Sequence, residues 1–302
     1  MTLANRLSPD FAQRVRRDEP MAKHTSFHVG GPADYYFEPR DRHDLAAFLR
    51  TIPEDVPLHW IGLGSNLLVR DGGIRGAVIA LHGSLARLDR LSQTSVYCEA
   101  GVPCARLAKQ CIKWGMSDAA WFAGIPGTFG GALAMNAGAF GGDTWTHVRE
   151  VELMGRDGAV STHEPDEFKV SYRQVLLPES DHWFVGARLS FEHRSDADDT
   201  AMRELLQKRK DSQPIGTWNC GSVFANPLND HAARLIEAAG LKGFRVGGAV
   251  VSKKHANFIV NEGQASATDI ETLIDLLRQR VLEQHGVALS TEVRIIGERE
   301  IS

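Results

Sequence analysis

The chain has 302 residues, 43% hydrophobic and 24% charged, the balance of a water-soluble protein with room for one large domain or two to three ordinary ones. A net charge of −4 gives no global basic field, which argues against duplex nucleic acid, so any anionic ligand has to be met by local groups. The four cysteines, Cys98, Cys104, Cys111 and Cys220, form no Cys-x-x-Cys pair and no zinc-finger spacing, which argues against a metal site or disulfide framework and for the cytoplasm.

The first 20 residues are polar and carry no apolar run, so they read as a loosely tied arm, neither a signal peptide nor a membrane span. No later segment reaches the roughly 20 apolar residues of a membrane helix. Strands are expected at 57–62, 77–81 and 96–100. A helix is expected over 103–114, with Pro103 in its first turn, Leu107, Ala108, Cys111 and Ile112 on one face, and Gly115 as its stop. Further strands are expected at 148–154 and 183–191, with turns at Asp71-Gly72-Gly73 and Asp157-Gly158. The polar stretch 193–200 is the best domain boundary, followed by a helix over 201–210. Asp230 could cap a helix with Ala232, Leu235, Ile236 and Ala239 on one face. Strands at 249–252 and 257–261 precede a helix opened by a Thr268/Glu271 capping box, with Ile270, Leu273, Ile274, Leu277 and Val281 at core spacing and Gly286 at its end. Residues 292–296 close the chain as a half-buried strand.

Residues 123–142 hold seven glycines and almost no side chain able to do chemistry. Such a segment lets the backbone approach a ligand, and its N–H groups become the binding atoms, with phosphates the usual guest. A second glycine loop, Gly62-Leu63-Gly64-Ser65-Asn66-Leu67-Leu68, follows a strand. Leu67 stands where a Rossmann fingerprint needs its third glycine, and neither loop contains Gly-Lys-Ser/Thr, so Rossmann and P-loop sites are disfavoured. Either loop alone could be a tight turn; the two together point to a cradle for a phosphate-bearing cofactor.

Three polar residues stand out later in the chain. Arg173, after Tyr172, is either a surface arginine or a fixed guanidinium for a carboxylate. Ser222, after Gly221, is a turn serine or a functional hydroxyl; the second glycine of a nucleophile elbow is absent. Glu292 is an edge carboxylate or the lining of a cleft. Lys253, Lys254 and His255, with Arg203, Lys208, Arg209 and Lys210, are solvated surface or the positive charge that an anionic substrate needs.

In this order and over about 25–297, these segments resemble the UDP-N-acetylenolpyruvoylglucosamine reductase family of peptidoglycan-precursor synthesis. The markers are Thr25-Ser26-Phe27-His28-Val29-Gly30-Gly31-Pro32-Ala33, the 62–68 loop, Ala123-Gly124-Ile125-Pro126-Gly127, Met135-Asn136-Ala137-Gly138-Ala139, Tyr172-Arg173, Gly221-Ser222-Val223-Phe224 and Glu292-Val293-Arg294. The resemblance implies an α+β protein: a vanillyl-alcohol-oxidase-like (PCMH-type) FAD-binding fold over 20–195, in subdomains of about 20–83 and 84–195, with an α+β substrate-binding domain over 201–302. It implies non-covalent FAD, its diphosphate held by Gly62, Gly64, Ser65, Asn66 and Leu67 and by Gly124, Ile125, Pro126, Gly127, Gly130, Gly131, Asn136, Ala137 and Gly138. The short stretch between Phe191 and Gly221 lacks room for an insertion carried by one branch, so the chain resembles the shorter type. His24 replaces the family's usual asparagine, and Ala225 stands where many members have a basic residue.

The implied reaction is reduction of FAD by NADPH, then delivery of hydride from flavin N5 to the methylene carbon of an enolpyruvyl ether on a UDP-sugar. The resemblance assigns Arg173 and Glu292 to the enolate-like intermediate and Ser222 to proton donation, with Tyr172 and Asn226 as substrate contacts; His255, with the lysines before it, is a further candidate substrate contact. A bare Glu292 carboxylate would repel the developing charge, so it must be protonated or act through a partner. No nucleic acid, membrane, metal or obligate protein partner is implied. The rivals are a sugar or alcohol oxidase on the same FAD scaffold and a non-catalytic nucleotide-binding module.

Overall fold

Strands and helices alternate along the chain without settling into βαβ repeats, which makes the fold α+β. The computed structural model describes residues 7–196 and 198–300. In chain order the elements are α1 (Pro9–Arg14), β1 (Arg16–Pro20), β2 (Pro32–Phe37), α2 (Arg42–Leu49), β3 (Leu58–Ile61), β4 (Leu67–Val69), β5 (Ile74–Ala80), β6 (Leu88–Arg90), β7 (Ser95–Glu99), α3 (Cys104–Lys113), α4 (Phe129–Ala134), β8 (Gly138–Ala139) and β9 (Gly142–Asp143). They continue with β10 (Val148–Gly155), β11 (Val160–His163), β12 (Lys169–Ser171), β13 (Gln174–Leu176), β14 (His182–Ser190), α5 (Thr200–Ser212), α6 (Ala232–Ala238), β15 (Arg245–Val246), β16 (Ala249–Val251), β17 (Ile259–Asn261), α7 (Ala267–His285) and β18 (Arg294–Ile296). Among the described residues no helix is long and apolar enough to cross a membrane.

Tertiary contacts divide the chain into two units. The first takes residues up to Arg16, Tyr36–Gly62 and Gly76–Gln207; the second takes Arg17–Tyr35, Leu63–Arg75 and the chain from Lys208 on. This grouping cuts across the contiguous ranges 20–195 and 201–302. The physical reason is visible in burial: Phe27, Val29 and Leu68 lie in one apolar cluster with Val223, Leu273 and Val281.

In the first unit a five-stranded sheet runs β11-β10-β14-β7-β6, every neighbouring pair antiparallel. The amphipathic helix α3 buries Cys104, Leu107, Ala108, Cys111 and Ile112 in the cluster that also holds Val96, Cys98, Ala187 and Leu189 of the sheet. Each large apolar side chain so buried contributes about 1.5–3 kcal/mol. β3 and β5 pair in parallel from Leu58↔Ala77 to Ile61↔Ala80, which fixes where the chain emerges at Gly62. The expected loose arm is corrected here. Residues 9–14 form α1, and Phe11 packs edge-on against Phe37 and Phe48, an apolar anchor set among polar neighbours.

In the second unit β15-β16-β17 form an antiparallel sheet, and α7 buries Ile270, Leu273, Ile274, Leu277 and Val281 as its spacing predicts. Gly286 ends α7 in the left-handed region at φ +67°. The capping box is formed by Ser266 and Asp269, not Thr268 and Glu271, because the helix starts at Ala267 and Thr268 is already inside it. Thr268 donates its N–H and hydroxyl to Asp71, while Glu271 receives the Arg70 guanidinium through two bonds of 2.9 and 3.0 Å. Asp230 is not the cap of α6 either: it pairs with Arg234, and Asn226 Oδ1 accepts the Ala232 N–H at 3.1 Å. The closing strand begins at Arg294 and runs parallel to β4 in the register Arg294↔Leu67.

Candidate active site

The parallel pairing of β3 with β5 delivers the chain to Gly62, and the pairing of β4 with β18 takes it up again at Leu67. The loop between them is shaped by close approach. A Cβ on Gly62 would lie 2.2 Å from Thr128 Oγ1, and one on Gly64 would lie 2.0 Å from the His24 carbonyl oxygen. Gly64 also sits at φ +61°, so glycine is required there twice over. Its carbonyl accepts the Ser26 N–H at 3.1 Å. The N–H groups of Leu63, Gly64, Ser65 and Asn66 donate to no protein acceptor among the described residues. Successive free backbone donors with no bulky side chain in the way are what an anionic diphosphate needs, because partly buried N–H groups require an acceptor.

The second glycine segment is built on the same plan. After the 3-10 turn Ser117–Gly124, Ile125 donates to Phe122 O, and Gly127 O accepts from Cys104 N at 2.9 Å. Pro126, lacking an N–H, is exposed. Thr128 is buried and touches the position a Gly62 side chain would take, so the two glycine segments meet at this point in the first unit. Gly130 lies on Ala100, whose Cβ would be 2.8 Å from a Cβ there, and Gly130 N donates to Ala100 O. Gly131 is exposed, and a Cβ there would be in ordinary contact with Thr128 Oγ1 at 3.8 Å. The N–H groups of Gly127, Thr128 and Gly131 find no protein acceptor among the described residues.

The end of this segment supports Arg173. Asn136, at φ +38°, offers its carbonyl to Arg173 Nη1 at 3.2 Å, and Gly138 offers its own to Nη2 at 3.0 Å. The buried Asn136 amide accepts from Trp145 N at 3.1 Å and donates to Ser171 O at 3.4 Å, tying down the hairpin that carries the arginine. Ala137 O takes two bonds from Thr144. Arg173 occupies the two-residue turn between β12 and β13 at φ +59°, its guanidinium carbon 5.0 Å from the Tyr172 ring centre. Tyr172 is exposed. Of the three residues expected in the cofactor loop, Asn136 and Gly138 bond Arg173 and its hairpin, while Ala137 bonds Thr144.

The segments that follow Ser222 and that carry Glu292 run side by side in the second unit. Val223 O accepts from Glu292 N at 2.8 Å and from Val293 N at 3.2 Å, and Phe224 bridges to Thr291. Residue 222 thus directly precedes the segment on which residue 292 is hydrogen-bonded. Glu292 is also held by the first glycine loop, since Asn66 Nδ2 donates to its carbonyl at 3.0 Å and Arg294 N to Asn66 O at 3.0 Å. The Cys220 thiol is pushed well above its ordinary value by burial and then by the nearby Glu292 carboxylate, so it stays protonated and inert.

The expected substrate contacts divide. Asn226 is exposed but spends its side-chain oxygen on the first turn of α6. Burial pushes the His255 imidazole below its ordinary value, so it is neutral near pH 7, and its Nδ1 accepts from Asn257 N at 3.3 Å. Of the two departures, His24 Nε2 contacts Glu19 Oε1 at 2.9 Å, and Ala225 N donates to Ser290 O. Sequence reading missed Asn257, which is 3% exposed. An amide inside the apolar run Ala256–Ile259 was the available signal, because a buried amide must find partners. Among the described residues no group of three or more His, Cys, Asp or Glu side chains could hold a metal ion.

Comparison with known proteins places this geometry in a family. A family described as "FAD binding domain" matches residues 33–163, and "UDP-N-acetylenolpyruvoylglucosamine reductase, C-terminal domain" matches residues 213–296. The chain is 52% identical to the UDP-N-acetylenolpyruvoylglucosamine reductase of Alkalilimnicola ehrlichii over 301 residues, 99% of each chain. It is 53% identical to that of Nitrosococcus oceani over 285 residues, 94% of this chain and 95% of the other. A crystal structure of the corresponding reductase from Thermus caldophilus superposes with a TM-score of 0.80 at 33% identity, over 93% of this chain and 98% of that one. The chain belongs to the UDP-N-acetylenolpyruvoylglucosamine reductase family.

Proposed function

We propose that this protein reduces the enolpyruvyl ether of UDP-N-acetylglucosamine enolpyruvate to UDP-N-acetylmuramate in peptidoglycan-precursor synthesis, with FAD bound non-covalently, NADPH as the reductant, and the cytoplasm as its place of work. The observation that supports this reading is the bond from Glu292 N to the carbonyl of Val223, the residue after Ser222, with Glu292 itself tied to the first glycine loop through Asn66. Within each unit taken by itself, free N–H groups suit an anionic phosphate: those of residues 63–66 in the second and those of Gly127, Thr128 and Gly131 in the first. We assign FAD binding to about 20–195 and substrate binding to 201–302.

FAD, when bound, supplies the hydride, which no side chain can carry. The chain's own residues do the rest. Arg173, held by the carbonyls of Asn136 and Gly138, keeps its charge at a fixed place and stabilises negative charge growing on the substrate carboxylate. Ser222 donates its hydroxyl proton to the substrate carbon next to that carboxylate, giving the lactyl ether. Glu292 assists as a hydrogen-bond donor, which requires its protonated form. Tyr172 in the first unit, and Asn226 and His255 in the second, are assigned as contacts of the UDP-sugar, Asn226 through its amide nitrogen.

The test is Ser222→Ala. Reduction of bound FAD by NADPH, read from the bleaching of its visible band, stays near wild type. Steady-state formation of UDP-N-acetylmuramate falls by about 10²–10⁴-fold, the range of a lost general acid. Turnover near wild type would remove Ser222 from the mechanism, and a protein unable to take up FAD would remove the flavin reading.

A further inference from the structure

Asn257 makes three hydrogen bonds to the two residues that follow Ser222. Its backbone oxygen accepts Val223 N at 2.9 Å, its Oδ1 accepts Phe224 N at 3.0 Å, and its Nδ2 donates to Phe224 O at 2.8 Å. The side-chain amide therefore satisfies both polar groups of one residue, as a neighbouring strand would. On the other side, Val223 O receives Glu292 N and Val293 N. Segment 223–224 is gripped between Asn257 and residues 292–293, all within the second unit. Upstream of Ser222 no comparable grip is made among the described residues. Gly221 sits at φ +78° with nothing within 4 Å of where its Cβ would be, and among the described residues its N–H donates to Asn219 Oδ1 at 2.9 Å. The direction of the Ser222 side chain is thus set mainly from its C-terminal side.

We propose that Asn257 is a positioning residue that holds the Ser222 hydroxyl in register with Glu292. The proposal rests on the role given to Ser222 above. Neither an apolar nor an ionised side chain of this size meets both demands. Leucine fills the space but leaves Phe224 N and O unpaired; ionised aspartate accepts from the N–H but sets its charge against the carbonyl. Protonated aspartate restores both bonds. A proton transfer is sensitive to this register, since displacement of about 1 Å can cost a hundredfold in rate.

The experiment uses the FAD-loaded enzyme with NADPH and the enolpyruvyl UDP-sugar. Asn257→Leu is expected to lower kcat by about ten- to hundredfold, with KM for the UDP-sugar within about twofold and FAD reduction by NADPH unchanged. Introduced into Ser222→Ala, the same change is expected to add no further loss, because residues acting as one unit are not additive. Asn257→Asp serves if the leucine variant does not fold. Its kcat, corrected for flavin content, is expected to recover toward wild type as pH falls, a limb the parent enzyme lacks. Losses that multiply with Ser222→Ala, a parallel loss of FAD reduction, or an aspartate variant with the parent's pH profile would each overturn the proposal. Should Ser222→Ala itself turn over normally, the assigned acid is wrong. Should Ser222→Ala fail while Asn257→Leu and Asn257→Asp are silent, only the positioning role is wrong.

Discussion

Gly64→Ala tests the first glycine loop with a single methyl group. The added Cβ would stand 2.0 Å from the His24 carbonyl oxygen and 2.9 Å from the carbonyl carbon, both backbone atoms that cannot rotate away. Ordinary contact is near 3.5 Å, so loop and strand entry must separate by about 1.5 Å. Overpacking of this kind costs about 1–3 kcal/mol. The left-handed backbone at φ +61° adds about 1–2 kcal/mol for any residue with a Cβ. Gly83→Ala is the control: its φ is +86°, and nothing lies within 4 Å of its Cβ position, so it carries the backbone strain without the collision. FAD affinity is read by quenching of flavin fluorescence and stability by urea unfolding of the FAD-free protein. Gly64→Ala should weaken FAD at least tenfold, about 1.4 kcal/mol, and unfold earlier than Gly83→Ala, whose FAD affinity should match the parent. Equal behaviour of the two variants would refute the argument that close backbone approach at Gly64 shapes the cofactor loop.

Arg173→Lys keeps the charge but cannot span the carbonyls of Asn136 and Gly138 together, so kcat should drop about 10²-fold with FAD reduction intact; stopped-flow separation of the two half-reactions checks this. Glu271 is held below its ordinary value of 4.5 chiefly by the Arg70 guanidinium, with burial opposing and Arg299 assisting. A depressed carboxylate contributes stability that is present above its unfolded value and lost as pH falls through its folded value. Parent and Glu271→Gln should therefore differ by about 1–2 kcal/mol at pH 7 and converge below about pH 4.5; urea midpoints across that range decide it.

Where the code is local, the sequence spoke clearly. The spacing of Leu107, Ala108, Cys111 and Ile112 predicts α3, and that of Ile270 to Val281 predicts α7, because one helical face must be buried. Glycine density marked both loops, since backbone close to backbone leaves no room for a Cβ. Helix starts were less legible. The sequence 266–271 offers two overlapping sets of capping residues, and only the position of Asp71 against Ala267 and Thr268 selects between them.

The amino-acid order, through its resemblance to the family, singled out the residues proposed for the chemistry: Arg173, Ser222 and Glu292. Tertiary structure decided what holds them. The carbonyls of Asn136 and Gly138 that receive Arg173 lie 37 and 35 residues away in the chain. Val223 meets Glu292 across 69 positions, and Asn66 reaches the same glutamate across 226. Such bonds depend on strand pairing, as in β4 with β18, and pairing is set by burial on a whole face rather than by any local pattern. A side chain's chemical capacity is written at its own position, whereas the partners that orient it are fixed only when distant strands find their register.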